Sequence, residues 1–250
     1  MEQETKISSK LKDILTHEHK IQVVQDLHDH DYQGGIDGLI QHLKKHSFYG
    51  ILTPYRTANL KRITNALPAL RVYHIPHHID SEVFKPYGLE KTVDIFLFGN
   101  CDQKYYPFRH RLKKLLREEK DGKLRITVWD GIKNYFKYDE SKSGANLAKM
   151  INKSWLTICT KSKFDMLLGK YMEVSMSGSV VCGDMPEDGK SIWGENYLAL
   201  TEDMSDREIL TAIRSALSDK QQLTKWSQTM LEKMDAYKLS AFAEHIHEII

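Results

Sequence analysis

"VDIFLFGNCDQKYYPFRHRLKKLL" (residues 93–116) changes character at Gly99. Before the glycine stands an apolar run of the length of a buried strand. From about Pro107 onward stands a helix rich in Arg and Lys. A strand feeding a helix through a short polar loop is the repeating unit of parallel α/β sheets. The alternation extends both ways. Upstream, "IQVVQDL", "FYGILTPY" and "RVYHIP" read as strands, with "IDGLIQHLKKH" and "TANLKRITNAL" as helices. Downstream, "LRITVWDG", "WLTICT" and "SVVCGD" read as strands, with "GANLAKMINKS" and "MLLGKYMEVSMSG" as helices. Two helical segments follow, "DREILTAIRSALS", with Ser205 as its N-cap, and "QQLTKWSQTMLEKMDAYKLSAFAEHIHEII". The Pro/Gly-containing "KPYGLEKT" divides a unit of about three strands from a larger one.

Composition narrows the function classes. The chain has 250 residues, 28% charged and 41% apolar, with a formal charge of +2. That balance argues against a nucleic-acid coat, and no long Lys/Arg block stands out. Cys101, Cys159 and Cys182 are odd in number and mostly in apolar runs, which predicts reduced, buried thiols and a cytoplasmic protein. No run approaches the ~20 apolar residues of a membrane span, and the N-terminus has no apolar leader core.

In open α/β sheets ligands bind beyond the carboxyl ends of the strands. That rule gathers "DLHDHD", "TPYR", "PHHID", "GNCDQK", "WDG" and "TKSKFD" onto functional edges. Gly99, Asn100 and Arg109 at a helix start suit a phosphate, against the plainer reading of a solvated basic helix face. Neither a G-x-G-x-x-G nor a P-loop pattern is present. Asp165 and Glu173 lie eight apart, near one face if both are helical. A carboxylate such as Glu173 among apolar neighbours needs a partner: a sugar or ribose hydroxyl, or the ammonium of Lys170. "IPHHIDSEVFKPYG" brings His77 and His78 to the junction of the two units.

These segments resemble the GT-B glycosyltransferases, and more narrowly the CgeB-like branch related to family 4. "IPHHIDSEVFKP" is similar to the interdomain "IPNGVDxxxFxP" segment. "KYMEVSMSGSVVCGDMP" resembles the donor-site helix "EAMASGxPVV", and "DIFLFGNCDQKYYPFRHRL" the branch pattern "DVxFxGNxxxxYPxRxxL". "SGANLAKMINKSWLTIC" is similar to "GxELAxxxNxSxIxLN", and "VVQDLHD" to the branch's Asp–His loop. The likeness covers roughly residues 21–217.

The resemblance implies two Rossmann-like parallel-sheet units facing a cleft. Residues 1–85 would form a shortened acceptor-side unit and residues 86–235 the nucleotide-sugar domain, while the helix of residues 236–250 crosses back. It implies that Glu173 holds the ribose, Asp165 the donor sugar, and the amides near Leu168 and Gly169 the diphosphate. Gly99, Asn100 and Arg109 would line the diphosphate, joined by Lys104 and Lys170, and Tyr135 or Phe136 would stack on the base. The donor would be a UDP- or GDP-type sugar, with no tightly bound cofactor or metal. The acceptor would be a glycan, with a further domain or subunit completing its site.

Two departures stand out: the first unit is short, and the family's E-x7-E appears as D-x7-E. An inverting reaction would need a base, and Asp26, His28 and His77 are the candidate catalytic residues. "DLHDHD" is also similar to the metal-binding openings of several phosphoesterases, although their downstream "GDxxD", "GNH[ED]" and "GHxH" motifs are missing. The rival readings are a metal-dependent phosphoesterase and a non-catalytic sugar-nucleotide-binding module.

Overall fold

The structure, a computed structural model, describes residues 17–25, 34–119, 121–130 and 140–249. It separates into two compact units, one reaching Pro76 and the other running from His77 to Glu248.

The first unit holds a three-stranded parallel sheet: β1 (Ile21–Val23), β2 (Gly50–Thr53) and β3 (Arg71–His74), with β2 central. Ile21 pairs with Gly50, and Gly50 with Arg71. All four residues of β2 are buried. Between β1 and β2 lies α1 (Gly35–Lys45), which buries Ile36, Leu39 and Leu43, the three- and four-residue spacing of one helix face. Between β2 and β3 lies α2 (Ala58–Ala66), which buries Ile63.

The second unit is built on β4 (Val93–Gly99), β5 (Ile126–Asp130), β6 (Ser154–Ile158), β7 (Val180–Gly183) and β8 (Leu198–Ala199). Their order is β5-β4-β6-β7-β8, and every neighbouring pair is parallel. Side chains alternate along a strand, so β4 feeds two cores. Ile95 and Leu97 join α3 (Pro107–Glu118) and α7 (Asp206–Ser218) through Leu112, Leu116, Ile209 and Ile213. Phe96 and Phe98 face the opposite way, toward α4 (Gly144–Asn152), α5 (Lys170–Met176), α6 (Glu187–Trp193) and α8 (Lys220–Lys233), through Ile151, Tyr171, Trp193 and Met230. Both faces are covered, which is why β4 reads as an unbroken apolar run from Ile95 to Phe98.

The second sheet winds outward from β4 in both directions, so the chain's topological switch point lies between β4 and β6. The carboxyl ends of β6 and β7 also approach closely. A Cβ on Gly183, where φ is 147°, would stand 1.9 Å from the Cys159 carbonyl oxygen, so only glycine fits.

The capping prediction for α7 holds: the Ser205 hydroxyl accepts from the Glu208 N–H, and the Glu208 carboxylate accepts from the Ser205 N–H. Two helix expectations are corrected. The final helical run breaks after α8 into a 3-10 turn (Met234–Tyr237), then α9 (Leu239–Ile249). The cause is non-local: Ile79 donates to the Tyr237 carbonyl and accepts from the Leu239 N–H, at 2.9 Å each. The run expected as "MLLGKYMEVSMSG" begins only at Lys170, and Gly178 at φ 74° closes it as expected. All three cysteines are free and buried, as predicted. Among the described residues, no helix is long and apolar enough to cross a membrane.

Candidate functional site

β4 ends at Gly99 with φ at 90°, a left-handed conformation that turns the chain sharply into the loop before α3. Pro107 opens α3 where its missing N–H costs nothing. The first turn of α3 then directs Arg109 back under the strand ends. Arg109 is 3% exposed. Its Nη1 donates to the Asn100 carbonyl at 3.0 Å, Nη2 to the Thr160 carbonyl at 2.8 Å, and Nε to Thr160 Oγ1 at 3.1 Å. One guanidinium thus ties the loops that follow β4 and β6, across the switch point. The Tyr106 ring lies 4.2 Å from it.

Lys170, the first residue of α5, comes from the other side. Its Nζ donates to the Phe98 carbonyl at 2.6 Å and sits 3.9 Å from the centre of the Phe98 ring. The two cations meet around Gly99, where a Cβ would lie 3.6 Å from Arg109 Nη1 and 3.9 Å from Lys170 Nζ. Among the described residues, no carboxylate comes within ion-pair distance of either. Burial, and then the positive charge of Arg109, push the Lys170 ammonium down to about 7. An anion at this corner would relieve both the repulsion and the desolvation.

Glu173 is one turn along α5. The sequence left Lys170 as its structural partner, but that ammonium is turned to Phe98, and the Glu173 carboxylate has no hydrogen-bond partner among the described residues. Glu173 is partly exposed, and desolvation raises its carboxyl above the usual range while Lys170 opposes the shift. At the start of α5, a Cβ on Gly169 would stand 3.5 Å from the His77 ring. His77 therefore gathers with Leu168 and Gly169. Burial first, and then His78, lower its pKa, which favours a neutral imidazole.

Asp165 does not share a helix face with Glu173. It sits in a turn before α5 with φ at 56°, a conformation that aspartate tolerates better than most residues. Its carboxylate accepts from Lys161 Nζ at 2.7 Å and from the Glu187 N–H at 3.4 Å. Lys104 is exposed on the loop after Asn100. Asp26, His28, Tyr135 and Phe136 lie outside the described residues, as does the whole of "DLHDHD". Among the described residues, no three His, Cys, Asp or Glu side chains gather as a metal site.

Sequence reasoning missed Thr160, which anchors two Arg109 donors, and Asp184. Asp184 directly follows β7; its Oδ1 accepts from the Lys161 N–H at 3.1 Å, and its Oδ2 is buried without a partner. Burial raises its carboxyl to about 6. Strand-end position, the rule that found "TKSKFD", would also have found this aspartate at the end of "VVCGD".

The arrangement of strands has close parallels among solved structures. TarM matches with a TM-score of 0.64 at 14% identity, covering 92% of this chain and 50% of that one. Anabaena HepE in complex with UDP and glucose matches with a TM-score of 0.64 at 12% identity, covering 92% and 71%. The fold is that of the GT-B glycosyltransferases. An α,α-trehalose-phosphate synthase (UDP-forming) from Burkholderia vietnamiensis extends the GT-B likeness, with a TM-score of 0.61 at 10% identity, covering 96% and 67%. The chain spans half the length of TarM. No protein-family model matches it, and no curated protein sequence matches it.

Proposed function

We propose that this protein transfers a sugar from a nucleoside diphosphate sugar to a carbohydrate-type acceptor, without a tightly held metal. The observation that carries the proposal is the buried, un-neutralised pair Arg109 and Lys170 at the switch point, with the unpartnered carboxylate of Glu173 one turn away. A diphosphate supplies the missing negative charge, and the ribose hydroxyls supply donors to Glu173. UDP is the first nucleotide to test, because HepE is described with UDP and glucose and the synthase as UDP-forming.

In the reaction, the bond between the sugar's anomeric carbon and the diphosphate oxygen breaks, and a bond to an acceptor oxygen forms. Negative charge builds on the departing diphosphate, where Arg109 and Lys170 act by electrostatic stabilisation. Asn100 and the amides of Leu168 and Gly169 complete the phosphate contacts in this reading. Asp165 would leave Lys161 to meet the donor sugar, and Tyr135 would stack on the base. If configuration inverts, the acceptor proton passes to a base, with Asp26, His28 and the neutral His77 as candidates. If it is retained, the leaving phosphate oxygen takes that proton.

The test is calorimetric titration with a panel of nucleoside diphosphates and their sugars, with and without EDTA. The reading expects micromolar binding of one nucleotide, unaffected by EDTA and weakened at least tenfold by Glu173→Ala. Because the Glu173 carboxylate has no hydrogen-bond partner among the described residues, the same variant should melt within a few degrees of wild type. Absence of binding by the whole panel would sink the proposal.

A further inference from the structure

The loop after β4 and the loop after β6 are zipped together at the site's rim. Lys163 N–H donates to the Tyr105 carbonyl at 3.0 Å, and the neighbouring Tyr106 ring covers Arg109. This join places two further cations beside the buried pair. Lys104 Nζ and Lys163 Nζ each lie 5.2 Å from the centre of the Tyr105 ring, and Lys163 Nζ lies 5.0 Å from the Phe164 ring. The two ammonium groups are therefore no more than about 10 Å apart, comparable with the Debye length at physiological salt.

Neither ammonium has a carboxylate partner among the described residues. Ion pairing is available in the same loop, since Lys161 takes Asp165. Asp102, the acid nearest Lys104 in sequence, uses Oδ1 to accept the Lys104 backbone N–H at 2.8 Å. In a chain whose formal charge is only +2, four cations without a described ion-pair partner on adjoining segments are a concentration. One diphosphate accounts for the inner two. The aromatic faces hold the outer two in place at the surface, oriented rather than free to wander.

We infer that Lys104 and Lys163, positioned by Tyr105, form a rim subsite for a phosphate or carboxylate group carried by the sugar acceptor. The inference rests on the transferase reading and narrows it from a carbohydrate acceptor to an anionic one. Lys163 is then a specificity-determining residue that touches the acceptor's charge and not its reacting hydroxyl. A neutral glycan would leave both ammonium groups facing water and gain nothing from them.

The experiment saturates the full chain with UDP, then titrates glucose, glucose 6-phosphate and glucuronate against wild type, Lys163→Gln and Lys163→Arg. Wild type is expected to bind the two charged sugars at least tenfold more tightly than glucose. That preference should fall below about threefold in Lys163→Gln, return in Lys163→Arg, and weaken with added salt. Equal affinities for charged and neutral sugars in wild type would overturn the inference, as would a preference that Lys163→Gln leaves unchanged, or no sugar binding at all. Failure of UDP itself to bind is the separate failure of the transferase reading. In that case the same sugar series on the free protein still decides the role of Lys163 through the ratio between the variants.

Discussion

Donor binding should be tied to a proton on Lys170. In the free protein its ammonium is buried, donates to the Phe98 carbonyl and faces Arg109; burial and that positive charge bring it down to about 7. A bound diphosphate places negative charge beside it and favours the charged form, returning its pKa toward the ordinary ~10.4. Binding above pH 7 therefore takes up a proton. At pH 8 roughly nine-tenths of the free protein is neutral at Lys170, so about 0.9 proton should be absorbed per donor bound. Between pH 6 and pH 9 the dissociation constant should rise about 90-fold, close to tenfold per pH unit in the upper part of the range.

The assay is calorimetry with a nucleotide sugar, whose diphosphate is a diester and does not titrate in this window, in buffers of different ionisation enthalpy. The groups facing Lys170 are Arg109, Cys159, Cys101 and Glu173. Burial holds the Cys159 thiol up at about 12, out of the window, and a Glu173→Gln control isolates that carboxylate. Lys170→Met, nearly isosteric and uncharged, should bind weakly and lose the pH dependence. The linkage also has a stability face. With a depressed folded pKa, the ammonium lowers stability below about pH 7, and stability recovers as pH rises from about 7 toward ~10.4, where the unfolded chain alone keeps the proton. The rise in melting temperature produced by donor should shrink over the same range. A flat affinity between pH 6 and 9 with no proton uptake would refute this account of the cradle.

Three further outcomes follow from the same geometry. Arg109→Met leaves the Asn100 and Thr160 carbonyls without their donor and should cost roughly 2–4 kcal/mol, read as a fall in melting temperature, and should also abolish nucleotide binding. Gly183→Ala drives a methyl into the Cys159 carbonyl and should leave little folded protein, whereas Gly122→Ala, at a turn with open space around it, should cost only about 1–2 kcal/mol of backbone strain; soluble yield and melting curves decide. Asp184 has a folded pKa of about 6 against an ordinary ~3.9, so its contribution is fully present below about pH 4 and is lost as pH rises through 6. Asp184→Asn keeps an acceptor for the Lys161 N–H and should remove that component from the melting-temperature profile; an unchanged profile would show that Asp184 does not titrate there.

What the sequence could and could not disclose follows from range. The strands were legible because each apolar run is bounded by glycine, proline or a polar loop, all local signals. The burial of β4 on both faces made its run conspicuous, but for the same reason hid which residues face which core; Ile95 and Phe96 look alike until the helices are placed. The α5 error has a local appearance and a non-local cause. "MLLGKYM" carries good helix formers, yet Asp165 just before it stands at φ 56° with its carboxylate paired to Lys161 and the Glu187 N–H, a non-helical entry that periodicity cannot register. The break before α9 depends on Ile79, far away in sequence. The site divides along the same line. Gly99, Asn100 and Arg109 were legible because a strand, a glycine and a helix start stand next to one another. Lys170 was ambiguous, because Glu173, three residues along, offered itself as its partner and nothing local pointed to the Phe98 carbonyl. Only the sheet brings that carbonyl, the ammonium and the guanidinium to one point, and an ammonium with a carbonyl for company and a cation for a neighbour is poised for an anion. A lysine paired with Glu173 would have kept its proton well above neutral pH. The proton count on donor binding therefore distinguishes the two partners that the sequence could not separate.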